Sequence, residues 1–184
     1  MSGKLEETNL PYAVAKIAGI KMCEAYNKQY KTNYKCLMPT NTYGPNDNYN
    51  LMTSHFFPAL IHKAHLCKIK NKKSIEVWGS GKVYREMIFV DDVADACVYF
   101  MNKKTKHSLI NIGSGKHMTI LNYVKFILKK LNLNIKINFI KSKPDGVYKK
   151  LLDIKRAKKY GWVAKTSLSE GFDITYKSFL KKNR

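Results

Sequence analysis

Short apolar runs of strand length alternate along this chain with longer segments of helical period, and that alternation restricts it to an α/β architecture. Strand-like runs cover residues 34–38, 74–78, 86–90, 109–112 and 135–139. Between and after them, residues 12–30, 53–67, 93–101, 119–131, 152–160 and 169–182 read as helices. Pro11 sits where a helix favours its first turn, with Asn9 or Thr8 as the cap. From Val14 onward, Ile17, Ala18, Met22, Ala25 and Tyr26 recur at helical spacing, which predicts a core-facing stripe. Thr53 or Ser54 is expected to cap the second helix, Asp91 or Asp92 the third, and Thr119 the fourth.

Hydrophobic residues make up 45% of the 184, enough for a packed core and too many for a disordered chain. No apolar run reaches the length of a membrane span, and Met1-Ser2-Gly3-Lys4 lacks a signal-peptide core. Cys23, Cys36, Cys67 and Cys97 stand far apart in apolar surroundings, so they are expected as reduced core residues of a cytoplasmic protein. No Cys or His spacing suits a metal; His62 and His65 share a helix but lack further ligands at that spacing. The formal charge of +21 invites a nucleic-acid reading, but of 34 basic residues only Arg85, Arg156 and Arg184 are arginines. Base readers lean on arginine's planar fork, and no basic tract concentrates the charge here. A solvated surface without a specific nucleic-acid partner is expected.

Several residues carry chemistry. Tyr12 and Lys16 lie one helical turn apart on one face, and an ammonium beside a phenol favours the phenolate, which suits proton transfer. The turn-dense stretch 39–48 leaves a strand's carboxyl end, a usual place for ligand contacts in an α/β sheet. His55 falls at a helix start, where a neutral imidazole can act as a base. Gly79-Ser80-Gly81 allows a tight turn before Arg85, whose fork suits a diphosphate.

Taken together, Tyr12-x-x-x-Lys16, the Pro39–Asn48 loop, Ser54-His55, Trp78-Gly79-Ser80-Gly81, Arg85-Glu86, Val90-Asp91-Asp92 and Lys143-Pro144-Asp145-Gly146 resemble the GDP-L-fucose synthases. These are extended short-chain dehydrogenase/reductases of the NAD-dependent epimerase/dehydratase family. The Tyr/Lys pair and Val-Asp-Asp are superfamily features, whereas the Asn-rich loop with Ser54-His55 behind it is specific. The likeness implies the C-terminal part of an NAD(P)-binding Rossmann-type domain (residues 1–45 and 88–115). A small α/β substrate-binding domain would take residues 46–87 and 116–184.

The resemblance also implies roles. Tyr12 would protonate the sugar C4 oxygen as NADPH delivers hydride, with Lys16 assisting it and binding the nicotinamide ribose. His55 would serve as acid/base at C3 and C5 and lie beside the cofactor, and Pro39, Thr40, Asn41 and Thr42 would line the cofactor. Lys63, Trp78, Arg85, Asp145 and Lys150 would contact the GDP-sugar, Lys63 replacing the family's usual arginine. The family's glycine-rich cofactor-binding turn, and the serine and cysteine that aid Tyr12 and His55, lie upstream of the matching region, and no such fingerprint occurs here. The chain is therefore expected to be a C-terminal portion with Met1 an internal start, inactive alone, working as a homodimer or with an N-terminal half supplied in trans. The competing expectations are a related nucleotide-sugar epimerase or reductase and a non-catalytic GDP-sugar-binding module.

Overall fold

The computed structural model describes Leu5 and residues 7–182; residues 1–4, 6, 183 and 184 and the side chain of Thr8 lie outside the described residues. A 3-10 turn at Glu7–Asn9 leads into α1 (Leu10–Tyr30), with Pro11 in its first turn. Asn9 occupies the N-cap but makes no side-chain cap bond, and Lys31 closes the helix in the left-handed conformation. Then follow β1 (Cys36–Pro39), β2 (Asn41–Tyr43), α2 (Phe56–Ile69), β3 (Ser74–Trp78), β4 (Tyr84–Phe89) and α3 (Val90–Asn102). The rest comprises β5 (Leu109–Ile112), β6 (His117–Thr119), α4 (Ile120–Lys130), β7 (Lys136–Ile140), β8 (Lys149–Lys150), α5 (Lys155–Lys159) and α6 (Leu168–Lys182).

β4 organises the centre. It pairs with β2 in parallel (Thr42 opposite Ile88), with β6 antiparallel (Arg85 opposite Met118) and with β8 in parallel (Arg85 opposite Lys150). β1 runs parallel to β5, and β3 parallel to β7. The parallel pairs need crossovers, which the helices provide.

Two cores result. The larger gathers Phe57, Leu60, Ile61 and Ala64 of α2 with Tyr123, Val124, Ile127 and Leu128 of α4 and Phe172 and Phe179 of α6. Those spacings give one apolar face per helix, so burial there is set by period. In β3, Ile75 and Val77 point inward while Glu76 and Trp78 face out, the period of a strand covered on one side. The smaller core joins Ile88, Ala96, Phe100, Ile110 and Ile112 to Ala157 and Trp162.

Several expectations change. The stripe on α1 is not a core face: none of its residues is buried, and Val14, Met22 and Tyr26 are exposed. Its period is apolar, but among the described residues it gains only partial cover: Ile17 is half-buried, and the Tyr26 ring lies 6.2 Å from that of Tyr34. The loop expected over 39–48 contains β2, because its backbone finds β4 as a partner. His55, rather than Thr53 or Ser54, holds the N-cap of α2. Asp91 and Asp92 lie inside the first turn of α3 and neither caps it; buried Asp92 instead accepts the backbone N–H of Lys165 (3.0 Å) and Thr166 (3.1 Å). Thr119 does cap α4, accepting the N–H of Asn122. Of the four cysteines only Cys67 is buried, and Cys97 is exposed. Among the described residues no helix is long and apolar enough to cross a membrane, and no cluster of metal-ligand residues occurs.

Candidate active site

A cavity of about 220 Å³ opens between α2, the β3–β4 turn and the 144–145 segment. Leu60, Val83 and Ile120 give it an apolar wall, and Ser54, Lys63, Trp78, Arg85 and Asp145 give it polar and aromatic groups. The turn owes its shape to Gly79 and Gly81, both at positive φ. A Cβ at Gly79 would stand 2.3 Å from Asp145 Oδ1, so the close approach of that carboxylate needs a glycine. Asp145 accepts the N–H of Ser80 at 2.6 Å, which holds its carboxyl below the usual carboxylate range, with Arg85 adding to the effect.

Arg85 is fixed by main-chain carbonyls. Its Nη1 donates to Tyr84 (2.8 Å) and Val147 (2.7 Å), and its Nη2 to Asp145 (3.1 Å). A guanidinium has five N–H donors, so the Nε–H and one Nη2–H remain for an anion. Partial burial pushes its pKa down and the Asp145 charge opposes that shift. Lys63, also shifted down by burial, donates to the Glu76 carbonyl at 3.2 Å and sits 5.2 Å from the Trp78 ring centroid. Lys143 flanks the same ring, also at 5.2 Å. Trp78 thus has two ammonium groups within cation–π reach of its ring.

Behind Arg85, buried Glu86 ties three segments to β4. Its carboxylate accepts the N–H of Gly115 (2.7 Å) and of Leu152 (3.2 Å). Its main-chain carbonyl accepts from Asn41 Nδ2 (2.8 Å) and Thr40 Oγ1 (3.3 Å). Thr40 is buried, Asn41 and Thr42 are half-buried, and Pro39 is exposed, so the first two side chains brace β2 against β4.

The structure brings Lys63, Trp78, Arg85 and Asp145 together in one cavity. Lys150 is exposed and does not line it, although its Cα lies opposite Arg85. Tyr12, 60% exposed, lies on the open face of α1 with Lys16 Nζ 5.4 Å from its ring centroid. His55 is exposed at the start of α2, between two residues that line the cavity, Ser54 and Phe56. Sequence reasoning gave no ligand role to Lys143 or Ser54. Lys143 carried a signal in its position within Lys-Pro-Asp-Gly, whereas Ser54 read as a cap.

Comparison with known proteins gives the family of the chain. Residues 1–113 match the NAD dependent epimerase/dehydratase family. A GDP-L-fucose synthase of Sinorhizobium fredii is 44% identical over 98% of this chain and 57% of its own length. One from Escherichia coli is 43% identical, over 98% of this chain and 59% of its own. A GDP-L-fucose synthetase of Naegleria fowleri, solved bound to NADP, superposes with a TM-score of 0.88 at 25% identity, covering 98% of this chain and 59% of that one. The chain spans less than three fifths of the length of each of these relatives. With its mixed α/β fold and parallel strand pairs, the chain belongs to the NAD dependent epimerase/dehydratase family.

Proposed function

We propose that this chain carries the nucleotide-sugar-binding half of a GDP-L-fucose synthase. Together with a cofactor-binding half it converts GDP-4-keto-6-deoxy-D-mannose to GDP-L-fucose by epimerisation at C3 and C5 and reduction at C4. The observation that carries this reading is the convergence of Lys63, Trp78, Arg85 and Asp145 on one cavity. Arg85 and Lys63 neutralise the diphosphate, Trp78 covers it from the rim, and Lys150 approaches along β8. We assign residues 1–45 and 88–115 to the Rossmann-type part and 46–87 and 116–184 to the substrate part. The smaller core supports that division in part, joining Ala96, Phe100, Ile110 and Ile112 to Ala157 and Trp162, whereas Tyr43 and Phe89 of the Rossmann-type part pack into the larger core.

The residues present fit the nicotinamide-ribose end of NADP(H): a phenol and an ammonium share one exposed face of α1. When bound, the cofactor supplies the hydride that reaches C4. Tyr12 gives its proton to the C4 oxygen while Lys16 holds positive charge beside it. His55 takes and returns the protons at C3 and C5, which the neighbouring ketone makes acidic through an enolate. Pro39–Thr42 and His55 would help to hold the cofactor. The remaining cofactor contacts come from the N-terminal half, supplied in trans or as part of the same polypeptide, or within a homodimer. Free cysteines are consistent with a cytoplasmic setting.

NADPH consumption with GDP-4-keto-6-deoxy-D-mannose tests the proposal, using the chain with and without the N-terminal half of a relative. Activity only with the added half is the expected result, and Tyr12→Phe then lowers the rate at least a hundredfold, the scale of a lost general acid. The second reading is a GDP-sugar-binding module without catalysis, favoured by the exposure of Tyr12 and His55, neither of which lines the cavity. GDP-sugar binding with no turnover in either arrangement would establish it.

A further inference from the structure

We propose that the Ser54 hydroxyl binds the diphosphate of the nucleotide sugar, donating to a phosphate oxygen; this rests on the reading of the cavity given above. Ser54 Oγ is buried and has no hydrogen-bond partner among the described residues. A hydroxyl so placed carries a desolvation penalty, and native proteins almost always give such a group a partner. The Tyr49 hydroxyl is in the same condition, but it does not line this cavity, whereas Ser54 does.

The surrounding loop has no use for the hydroxyl. Asn50 Oδ1 accepts the N–H of Met52 (2.8 Å) and Thr53 (3.2 Å), and Asn48 Nδ2 donates to Thr53 Oγ1 (3.1 Å). The Ser54 N–H itself goes to the Asn50 carbonyl at 2.9 Å. His55 rather than Ser54 holds the N-cap of α2, so the hydroxyl is not spent on the helix either.

The cavity that Ser54 lines defines the ligand's chemistry. Lys63 and Arg85 line the same cavity, and Arg85 keeps two unspent donors. α2 begins beside Ser54, and the first backbone N–H groups of a helix favour an anion. The one carboxylate in the lining, Asp145, is already engaged by Ser80. Three sources of positive potential and a spare O–H donor call for an anionic oxygen, and a diphosphate supplies it.

Isothermal titration with GDP and with guanosine, alongside thermal melts of the whole chain, tests this. Ser54→Ala should weaken GDP on the order of tenfold, the scale of one charge-assisted hydrogen bond. Guanosine affinity should not change, and the melting temperature should hold or rise because a buried unpaired hydroxyl is gone. Ser54→Thr, which keeps the O–H, should retain most of the GDP affinity. Equal GDP affinity in wild type and Ser54→Ala overturns the assignment. So does a fall in melting temperature with GDP and guanosine weakened alike, which marks a structural role. A wild-type chain that binds no GDP removes the underlying reading of the cavity, and this assignment with it.

Discussion

His65 places Nδ1 2.9 Å from the Tyr176 hydroxyl and lies edge-on to the Phe179 ring, where α2 meets α6. Burial, then the nearby His62 and Lys68, push its pKa below the ordinary histidine value of 6.5. The folded protein therefore holds this proton less tightly than the unfolded chain. The stability contributed by the neutral ring is complete above pH 6.5 and is lost as the pH falls through the lower folded value. Urea unfolding at pH 7.5 and at pH 5.5 checks this: wild type should lose more stability on acidification than His65→Gln. Equal losses would mean that the ring is not the responsible group. The same scale explains why two neighbouring aspartates differ. Asp91 is exposed in the first turn of α3, whereas Asp92, buried, pins the 165–166 backbone.

Among the elements, α6 is seated by a glycine. A Cβ at Gly171 would stand 2.2 Å from the Tyr43 hydroxyl and 3.0 Å from a Phe89 ring carbon, so α6 approaches β2 and β4 as closely as a missing side chain permits. Helix propensity alone would make Gly171→Ala stabilising by about 1 kcal/mol. Overpacking against two buried rings costs more, so the variant should be less stable by about 1–3 kcal/mol in chemical denaturation. A gain in stability would show that α6 slides off the sheet freely. Along its length the helix presents Phe172, Tyr176 and Phe179 as a stacked row, with ring planes 13° and 17° apart. That row faces His62 and His65, which is why two histidines three residues apart form packing contacts rather than a metal pair.

For the whole molecule, the open surface is on the α1 side. α1 runs 21 residues without one buried, with Tyr12, Met22 and Tyr30 each 60% exposed. Among the described residues β1 pairs with β5 alone, which leaves its other edge free to bond. Exposed apolar surface joined to an open parallel edge favours association despite the +21 charge. Sedimentation velocity of the isolated chain should show self-associated species, and an added N-terminal half should reduce them. A monodisperse monomer with a sharp thermal transition would contradict this. By itself the sequence determined the alternation of strands and helices, the cap at Thr119, and the motifs that mark the family. These depend on neighbours a few residues away, and local spacing records them. Only the tertiary structure decided that the stripe on α1 stays out of the buried core, that 41–43 is a strand, and that Ser54 keeps its hydroxyl while Glu86 spends its carboxylate on Gly115 and Leu152. Each depends on groups from distant segments brought into contact, and periodicity along one segment carries no information about what stands opposite it.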